Sequence, residues 1–185
     1  MNLFNSICIF WILSEILLNR LLRSGNSDKK SSDKNSLLLI WVTILISVTV
    51  GVFISKLIAL PILSNVGLEF IGLAIIILGI IFRLVAVKQL GKFFTVDVTI
   101  RENHQLLQTG LYKVLRHPSY TGSLLSFLGF GLSLNNWLSL AIVFLPTLFA
   151  MIHRINIEEK VLTEQFGKQY LDYIAKTKRL IPFVY

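Results

Sequence analysis

Three histidines are the first side chains of this sequence whose type suits catalysis or metal binding. His104, His117 and His153 could together hold a zinc ion, since histidine is a common zinc ligand. The surrounding sequence argues against such a site, because it contains no HExxH pair and His117 is followed by a proline. Cys8 is the only cysteine, which excludes an intramolecular disulfide and a cysteine metal cluster. We therefore predict no metal site.

A cluster of charged residues is the second candidate for chemistry. Arg154, Glu158 and Glu159 follow an uninterrupted apolar run, and Arg154 and Glu158, four apart, share one face of a helix. Taken alone, this pattern is also typical of an interfacial arginine in a helical ion pair. Tyr112 and Tyr120 are likewise typical of interfacial anchors. The sequence contains no GxGxxG, no GxSxG and no phosphate-binding loop, so it lacks the usual soluble nucleotide-binding and serine-hydrolase motifs.

The composition indicates the environment of these side chains. Hydrophobic residues make up 54% of the 185 residues and charged residues only 15%, and the mean hydropathy is +0.71. Because soluble domains carry about 25% charged residues, we predict an integral membrane protein. With this apolar excess, the net charge of +8 suits an anionic membrane surface better than nucleic acid.

Apolar stretches near the length that a membrane span requires, about 20 residues, lie in both halves of the chain. Those in the first half are residues 3–22, 37–60 and 66–87. A longer one, residues 122–152, is interrupted only by Asn135 and Asn136, and we predict that it is a helical hairpin turning there. Gly129 and Gly131 are expected to serve helix packing within it. The predicted fold class is all-α integral membrane, with five transmembrane helices of which the last two form a hairpin.

The positions of the basic residues predict how the spans are oriented in the membrane. Of the 18 lysines and arginines, all but Lys56 fall on alternate connections between the predicted spans. Since basic residues concentrate on the cytoplasmic side of membranes, we predict a multi-pass protein with its N-terminus outside and its C-terminus cytoplasmic. A four-span alternative would leave the basic C-terminal tail outside, and we disfavour it for that reason.

The segments between and after the predicted spans in the second half of the chain also have predictable structure. Residues 93–100 are rich in β-branched and aromatic side chains, which favours an extended segment. Pro118 suits the first turn of the fourth span, which would put His117 at the cytoplasmic mouth of that span. Residues 155–175 repeat apolar side chains close to one helical face. They predict a cytoplasmic amphipathic helix continuing from the fifth span.

Several short motifs follow one another in residues 90–185. They are Gly110-Leu111-Tyr112, Arg116-His117-Pro118-Ser119-Tyr120-Thr121-Gly122, Arg154-x-x-x-Glu158-Glu159, Phe166-Gly167-x-x-Tyr170-x-x-Tyr173 and Arg179-Leu180-Ile181-Pro182. Together they resemble the isoprenylcysteine carboxyl methyltransferase family, whose superfamily also includes membrane phospholipid methyltransferases. We therefore divide the single membrane domain, residues 1–185, into an N-terminal three-span region, residues 1–87, and a catalytic, cofactor-binding region, residues 88–185.

The resemblance implies S-adenosylmethionine as the methyl donor, bound within a membrane-embedded helical fold. The cofactor-binding residues that it implies are His104, Gln105, Leu106, Leu107, Tyr112, His117, Pro118, Ser119, Tyr120 and Glu158. It also implies that Arg154 and Glu158 are the catalytic residues, with Arg154 facing the substrate carboxylate and Glu158 binding a polar group of the cofactor. Asp97 falls where the family has an amide side chain, and its role is left open.

The acceptor that the resemblance implies is the carboxylate of a prenyl-cysteine-like or other lipophilic substrate, reached from the membrane lipids. Methyl transfer from a sulfonium to a carboxylate removes both charges, so a poorly hydrated site favours it. The protein's contribution is then mostly alignment of the reacting atoms. Three alternatives remain: a phospholipid or amine methyltransferase, an NADPH-dependent sterol-type membrane reductase, and a non-catalytic membrane scaffold.

Overall fold

The computed structural model of the protein describes residues 3–21, 29–30, 35–64, 67–94, 99–100 and 105–182. Asp97 and His104 lie outside these ranges. The α-helices of the described residues are α1 (Leu3–Leu21), α2 (Asn35–Leu57), α3 (Leu68–Leu90), α4 (Pro118–Ser133), α5 (Trp137–Phe166) and α6 (Lys168–Lys176). Two short 3-10 helices, Gly91–Phe93 and Gly110–Lys113, lie between α3 and α4.

The helices of the described residues confirm the prediction of a helical membrane fold. By length and composition, α1, α2, α3 and α5 could each cross a membrane. The α4 helix has 16 residues, fewer than the roughly 20 that an ordinary span requires. The count of five spans therefore stays a prediction.

The turn between α4 and α5 lies at the predicted asparagines. Asn135 has a φ of 46°, a left-handed conformation that asparagine tolerates better than most residues. Its side chain accepts hydrogen bonds from the backbone N–H groups of Ile62 and Leu63, at 3.1 and 3.0 Å. Asn136 caps α5 by accepting from the N–H of Ser139. The two asparagines thus end one helix, start the next and fix the turn to the α2–α3 connection.

Small residues set the close packing of α3 on α4. A Cβ atom added to Gly129 would lie 2.6 Å from the carbonyl oxygen of Gly72, and one added to Gly72 would lie 2.5 Å from the carbonyl oxygen of Gly129. Between the two arms of the hairpin, Gly131 of α4 packs against Leu140 of α5. The expectation that Gly129 and Gly131 serve helix packing is confirmed. Such small-residue contacts let helix backbones approach closely where no hydrophobic effect drives association.

One predicted element differs from the structure, and a second differs only at its first residue. The continuous helix expected over residues 155–175 is divided at Gly167, whose φ of 52° ends α5 before α6 begins at Lys168. Of the expected extended segment, residues 93–100, Phe93 closes a 3-10 helix that begins at Gly91, Phe94 is extended, and residues 95–98 lie outside the described residues. Thr99–Ile100 does pair, antiparallel, with Lys29–Lys30. In both places a glycine with a positive φ ends the preceding helix.

The α3–α4 packing predicts a sharp difference between two glycine substitutions. We expect Gly129→Ala to destabilise the protein by about 1–3 kcal/mol, because its methyl group meets the backbone of α3 rather than a movable side chain. Gly67→Ala is the matched control, since a Cβ atom there has no neighbour within 4 Å, and we expect a change within about 0.5 kcal/mol. Thermal unfolding of both variants in detergent measures this. Equal melting temperatures would contradict the packing assigned here.

Candidate active site

A cavity of about 390 Å³ lies within the helical bundle, and its wall changes character along its length. At one end it is lined by Leu106, Leu107, Tyr112, His117, Ser119, Tyr120, Arg154, Glu158, Tyr170 and Tyr173. The other end, which we call the apolar arm, is lined by Cys8, Trp11, Ile40, Ile44, Val48, Phe127 and Phe130. A ligand with a polar head and an apolar chain matches this division.

Arg154 lies close to where the two ends meet. Its side chain is buried, and it donates from Nε to the Tyr120 hydroxyl at 3.1 Å and from a terminal nitrogen to the Ser36 hydroxyl at 2.6 Å. The Tyr120 hydroxyl in turn donates to Glu158 at 3.0 Å. One turn along α5 from Arg154, Met151 lines the cavity. A guanidinium and a carboxylate are thus joined through one tyrosine at the wall of the cavity.

Glu159, one residue after Glu158, is directed into a different set of contacts. Its carboxylate accepts from Arg116 Nε at 2.8 Å and from Arg179 at 3.0 and 2.6 Å, and it lies 3.3 Å from His117 Nε2. Glu159 is buried, as an acidic side chain rarely is unless it is paired. We refer to Glu159, Arg116, Arg179 and His117 as the Glu159 cluster. It joins the start of α4, the end of α5 and the C-terminal segment.

The C-terminal segment is also held by its backbone. Lys178 forms a parallel bridge with Leu115, and the Arg116 N–H donates to the Lys178 carbonyl at 2.7 Å. Beyond it, the Thr121 hydroxyl donates to the Leu180 carbonyl at 2.8 Å. These bonds fix the segment that carries Arg179 against the residues that lead into α4. The last motif of the sequence therefore supports the wall of the site.

Tyrosine hydroxyls complete the polar end of the cavity. Tyr112 donates to the Ala86 carbonyl at 3.3 Å, and Tyr173 donates to the Tyr112 carbonyl at 2.6 Å. The buried Tyr170 hydroxyl has no hydrogen-bond partner among the described residues. Burial raises the pKa of Tyr112, Tyr170 and Tyr173 above the ordinary phenol value, so all three stay protonated near neutral pH. Tyr170 lines this end of the cavity, and its hydroxyl is buried.

An ion pair between two apolar helices also borders the cavity. Arg83 of α3 lies 2.7 Å from one carboxylate oxygen of Glu15 and donates to the other at 2.9 Å. Arg83 also donates to the Ser119 carbonyl at 3.1 Å. The arginine therefore ties α1 to the start of α4. Ionisable residues inside membrane segments usually face the protein interior and pair in this way.

The structure brings together most of the site residues implied by the resemblance. Those that line the cavity are Leu106, Leu107, Tyr112, His117, Ser119, Tyr120, Arg154 and Glu158. Gln105 is exposed and Pro118, although buried, does not line the cavity, while His104 lies outside the described residues. The roles assigned to these residues stay predictions.

Sequence reasoning missed two residues of the cavity wall, Arg83 and Glu15, and one residue that bonds to Arg154 without lining the cavity, Ser36. A usable signal existed for one pair, since Glu15 and Arg83 are charges within or at the end of apolar runs and such charges generally need partners. No signal existed for Ser36, which approaches Arg154 only through the packing of α2 on α5.

Comparison with known proteins places this geometry in a family. Residues 68–169, from the start of α3 into α6, match the family model described as phospholipid methyltransferase. The chain belongs to the phospholipid methyltransferase family. The match includes the RHPSY block, Arg154 and Glu158, and it leaves α1 and α2 outside.

Individual relatives agree with the resemblance seen in the motifs. The chain is 40% identical over 116 residues to protein-S-isoprenylcysteine O-methyltransferase B of Arabidopsis thaliana, covering 61% of this chain and 58% of that protein. It is 36% identical to the protein-S-isoprenylcysteine O-methyltransferase of Saccharomyces cerevisiae, covering 62% and 48%. The chain thus matches less than two thirds of the length of each.

A solved structure has a similar fold over nearly the whole chain. The match is to a eukaryotic intramembrane Ras methyltransferase, an isoprenylcysteine carboxyl methyltransferase, with a TM-score of 0.70 and 25% sequence identity. It covers 98% of this chain and 65% of that one. The predicted resemblance to this membrane methyltransferase family is confirmed.

The contacts of the Glu159 cluster predict that Glu159 contributes to the stability of the fold. We expect Glu159→Gln to destabilise the protein by about 3 kcal/mol or more, because it leaves Arg116 buried without its counter-charge. Glu164→Gln, an exposed change on the same helix, is the control and should alter stability by less than about 0.5 kcal/mol. Thermal unfolding in detergent measures both. A Glu159→Gln protein as stable as the control would show that the cluster does not support the fold.

Proposed function

We propose that this protein transfers a methyl group from S-adenosylmethionine to the carboxylate of a lipophilic, prenyl-cysteine-like acceptor. The observation that carries the proposal is the Arg154–Tyr120–Glu158 chain of hydrogen bonds beside the apolar arm. It provides a cation for the acceptor and an anion for the donor within one cavity. Family membership and the names of the relatives support the same reaction class.

The side chains at the polar end suit the proposed donor. Glu158 is partly exposed to the cavity, and its carboxylate complements the cationic amino and sulfonium groups of S-adenosylmethionine. Leu106 and Leu107 line the same end and provide apolar contact for a planar base. When bound, the donor supplies its methyl carbon to the acceptor oxygen as the carbon–sulfur bond breaks, giving a methyl ester and S-adenosylhomocysteine.

Arg154 is the residue that we assign to the acceptor carboxylate. A guanidinium stays charged at any physiological pH and matches a carboxylate with two parallel hydrogen bonds. Its bonds to Tyr120 and Ser36 hold it in one orientation, so little side-chain freedom is lost when the acceptor binds. No general base is needed because the carboxylate is already ionised. Burial favours the reaction because the two opposite charges disappear in it.

We propose five spans, with the N-terminus outside and the active site at the cytoplasmic face. Asn135 bonds to the α2–α3 connection, which is consistent with both turns lying on one side. The bridge between Leu115 and Lys178 likewise joins the loop before α4 to the C-terminal segment. The short α4, about 24 Å long at 1.5 Å per residue, would cross by local thinning of the bilayer or by burial within the bundle.

This orientation predicts the labelling of two single-cysteine variants. In a Cys8→Ser background, we expect Ser64→Cys to react with a membrane-impermeant maleimide in intact cells. Lys176→Cys should react only after permeabilisation. Both positions are exposed in the structure, so access depends on the side of the membrane. The reverse pattern would invert the proposed topology, and labelling of both in intact cells would reject the five-span arrangement.

An amine acceptor is the second candidate, because the family model is described as a phospholipid methyltransferase. The buried Arg154 guanidinium beside the cavity opposes it, since a cation disfavours a second cationic group nearby. Radiolabelled methyl transfer into prenyl-cysteine analogues and into phosphatidylethanolamine separates the two acceptors. Thermal stabilisation of the protein by S-adenosylhomocysteine would exclude a non-catalytic scaffold, because a ligand stabilises only a protein that binds it. Absence of stabilisation by NADPH would exclude the reductase.

Arg154 predicts the effect of one substitution on turnover. We expect Arg154→Ala to lower turnover of a prenyl-cysteine acceptor at least about a hundredfold, because two charge-assisted hydrogen bonds to the acceptor are lost. Binding of S-adenosylhomocysteine, measured by thermal shift, should persist. His153→Ala, an exposed neighbour on α5, is the control and should retain turnover. Normal turnover in a folded Arg154→Ala protein would reject the role given to this arginine.

A further inference from the structure

The imidazole of His117 lies between the two adjacent glutamates of α5. Its Nε2 atom is 3.3 Å from a carboxylate oxygen of Glu159, and its Nδ1 atom is 3.9 Å from a carboxylate oxygen of Glu158. The side chain is only 3% exposed, and His117 lines the polar end of the cavity. Because the neutral ring carries one proton, the nitrogen that holds it determines whether His117 presents a donor or an acceptor beside Glu158.

The backbone and a neighbouring ring fix the orientation of this imidazole. His117 is the residue before α4, and its N–H donates to the Arg179 carbonyl at 3.1 Å. Its own carbonyl accepts from the Thr121 N–H at 3.2 Å. The Tyr120 ring lies against the imidazole, with ring centroids 5.7 Å apart. A buried ring held by these contacts keeps Nε2 next to one glutamate and Nδ1 next to the other.

Glu159 selects the position of the proton. A proton on Nε2 can be donated to the Glu159 carboxylate, whereas an unprotonated Nε2 would direct its lone pair at a carboxylate oxygen. Glu158 offers no equal interaction to a proton on Nδ1, because 3.9 Å exceeds the hydrogen-bond range. Arg116 and Arg179 already neutralise Glu159, so a neutral N–H from the histidine is enough to complete its contacts. The neutral form with its proton on Nε2 therefore matches this cluster.

In that form, two hydrogen-bond acceptors stand side by side at the cavity. Nδ1 presents a lone pair, and the Glu158 carboxylate next to it has a side chain that is 31% exposed. The Tyr120 hydroxyl donates to Glu158 at 3.0 Å and so holds this carboxylate in place. A primary ammonium group has a positive charge and three N–H donors. A carboxylate that balances the charge and a neutral acceptor that takes a second N–H suit such a group together.

We propose that Glu159 is a positioning residue for the methyl donor: it holds the proton of His117 on Nε2, so that Nδ1 and Glu158 together accept hydrogen bonds from the ammonium group of the donor. This inference rests on the proposed function, since it assigns a contact of the same donor. It gives the two adjacent glutamates different tasks. Glu158 contacts the donor directly, and Glu159 acts on it through the histidine.

Two substitutions of His117 separate the tasks of its two nitrogens. His117→Gln can place an amide N–H near the position of Nε2 but has no acceptor at Nδ1, while His117→Asn can place its amide oxygen near Nδ1 but does not reach Glu159. We expect His117→Gln to keep most of the natural melting temperature and to weaken binding of S-adenosylhomocysteine at least about tenfold, because a hydrogen bond to a charged group is lost. His117→Asn should melt at a lower temperature and bind S-adenosylhomocysteine more tightly than His117→Gln does. His153→Gln, an exposed change on α5, is the control and should alter neither property. Thermal unfolding and titration calorimetry in detergent measure both properties.

Ligands that differ in the amino group identify the contact. Decarboxylated S-adenosylhomocysteine retains the ammonium group, and methylthioadenosine lacks it. We expect His117→Gln to weaken binding of the first as much as that of S-adenosylhomocysteine and to leave binding of the second unchanged. The proton position is observed directly, without a ligand, by heteronuclear NMR of protein labelled at its three histidines. The signals of His117 are those lost in His117→Gln, and we expect a protonated Nε2 and an unprotonated Nδ1.

The outcomes separate this inference from the proposed function. A His117→Gln protein that binds S-adenosylhomocysteine as tightly as the natural protein, or a natural protein with a proton on Nδ1 of His117, would overturn the inference. Equal weakening of all three ligands would also overturn it, because the contact would then not involve the ammonium group. Absence of S-adenosylhomocysteine binding to the natural protein would instead reject the proposed function. In that case the NMR spectrum of the ligand-free protein still tests the task of Glu159: a proton on Nε2 supports it, and a proton on Nδ1 contradicts it.

Discussion

Glu159 accepts hydrogen bonds from Arg116 and Arg179 and lies against His117, so a single buried carboxylate connects the two ends of the α4–α5 hairpin with the C-terminal segment. Burial of a charge is unfavourable unless it is paired and hydrogen-bonded. The cluster satisfies this requirement, and in doing so it fixes the end of α5 relative to the start of α4. Because Glu158 and Arg154 lie on that same helix, their position in the cavity depends on the pairing of their neighbour.

The second constraint is the close approach of α3 and α4. A Cβ atom at Gly122 would lie 2.6 Å from the backbone nitrogen of Arg83, so at this crossing only a glycine fits. Arg83 is thereby brought near enough to donate to the Ser119 carbonyl and to pair with Glu15. Small residues thus do more than pack the two helices: they position a charge that anchors α1.

How much of this arrangement can be predicted from the sequence depends on whether the signal is local. The turn at Asn135 and Asn136 interrupts an apolar run and is predictable. The shared face of Arg154 and Glu158 follows from their spacing of four residues. The different roles of Glu158 and Glu159 do not follow from the sequence, because two adjacent glutamates look equivalent until the positions of Arg116 and Arg179 are known. Contact between Ser36 and Arg154 depends on two helices distant in the chain, and no local pattern indicates it.

The residues inside the family match differ in chemical character from the two helices outside it. Residues 68–169 contain Tyr120, Arg154, Glu158 and Glu159, whereas Ser36 and Arg179, which bond to Arg154 and Glu159, lie outside the match. The helices α1 and α2 lie outside the match and contribute mostly apolar surface to the cavity. Apolar contacts are less directional than hydrogen bonds, so these helices can differ in sequence while the site keeps its geometry. Glu15 differs from the apolar wall residues of α1, because its pairing with Arg83 fixes this helix against α3 beside the polar site.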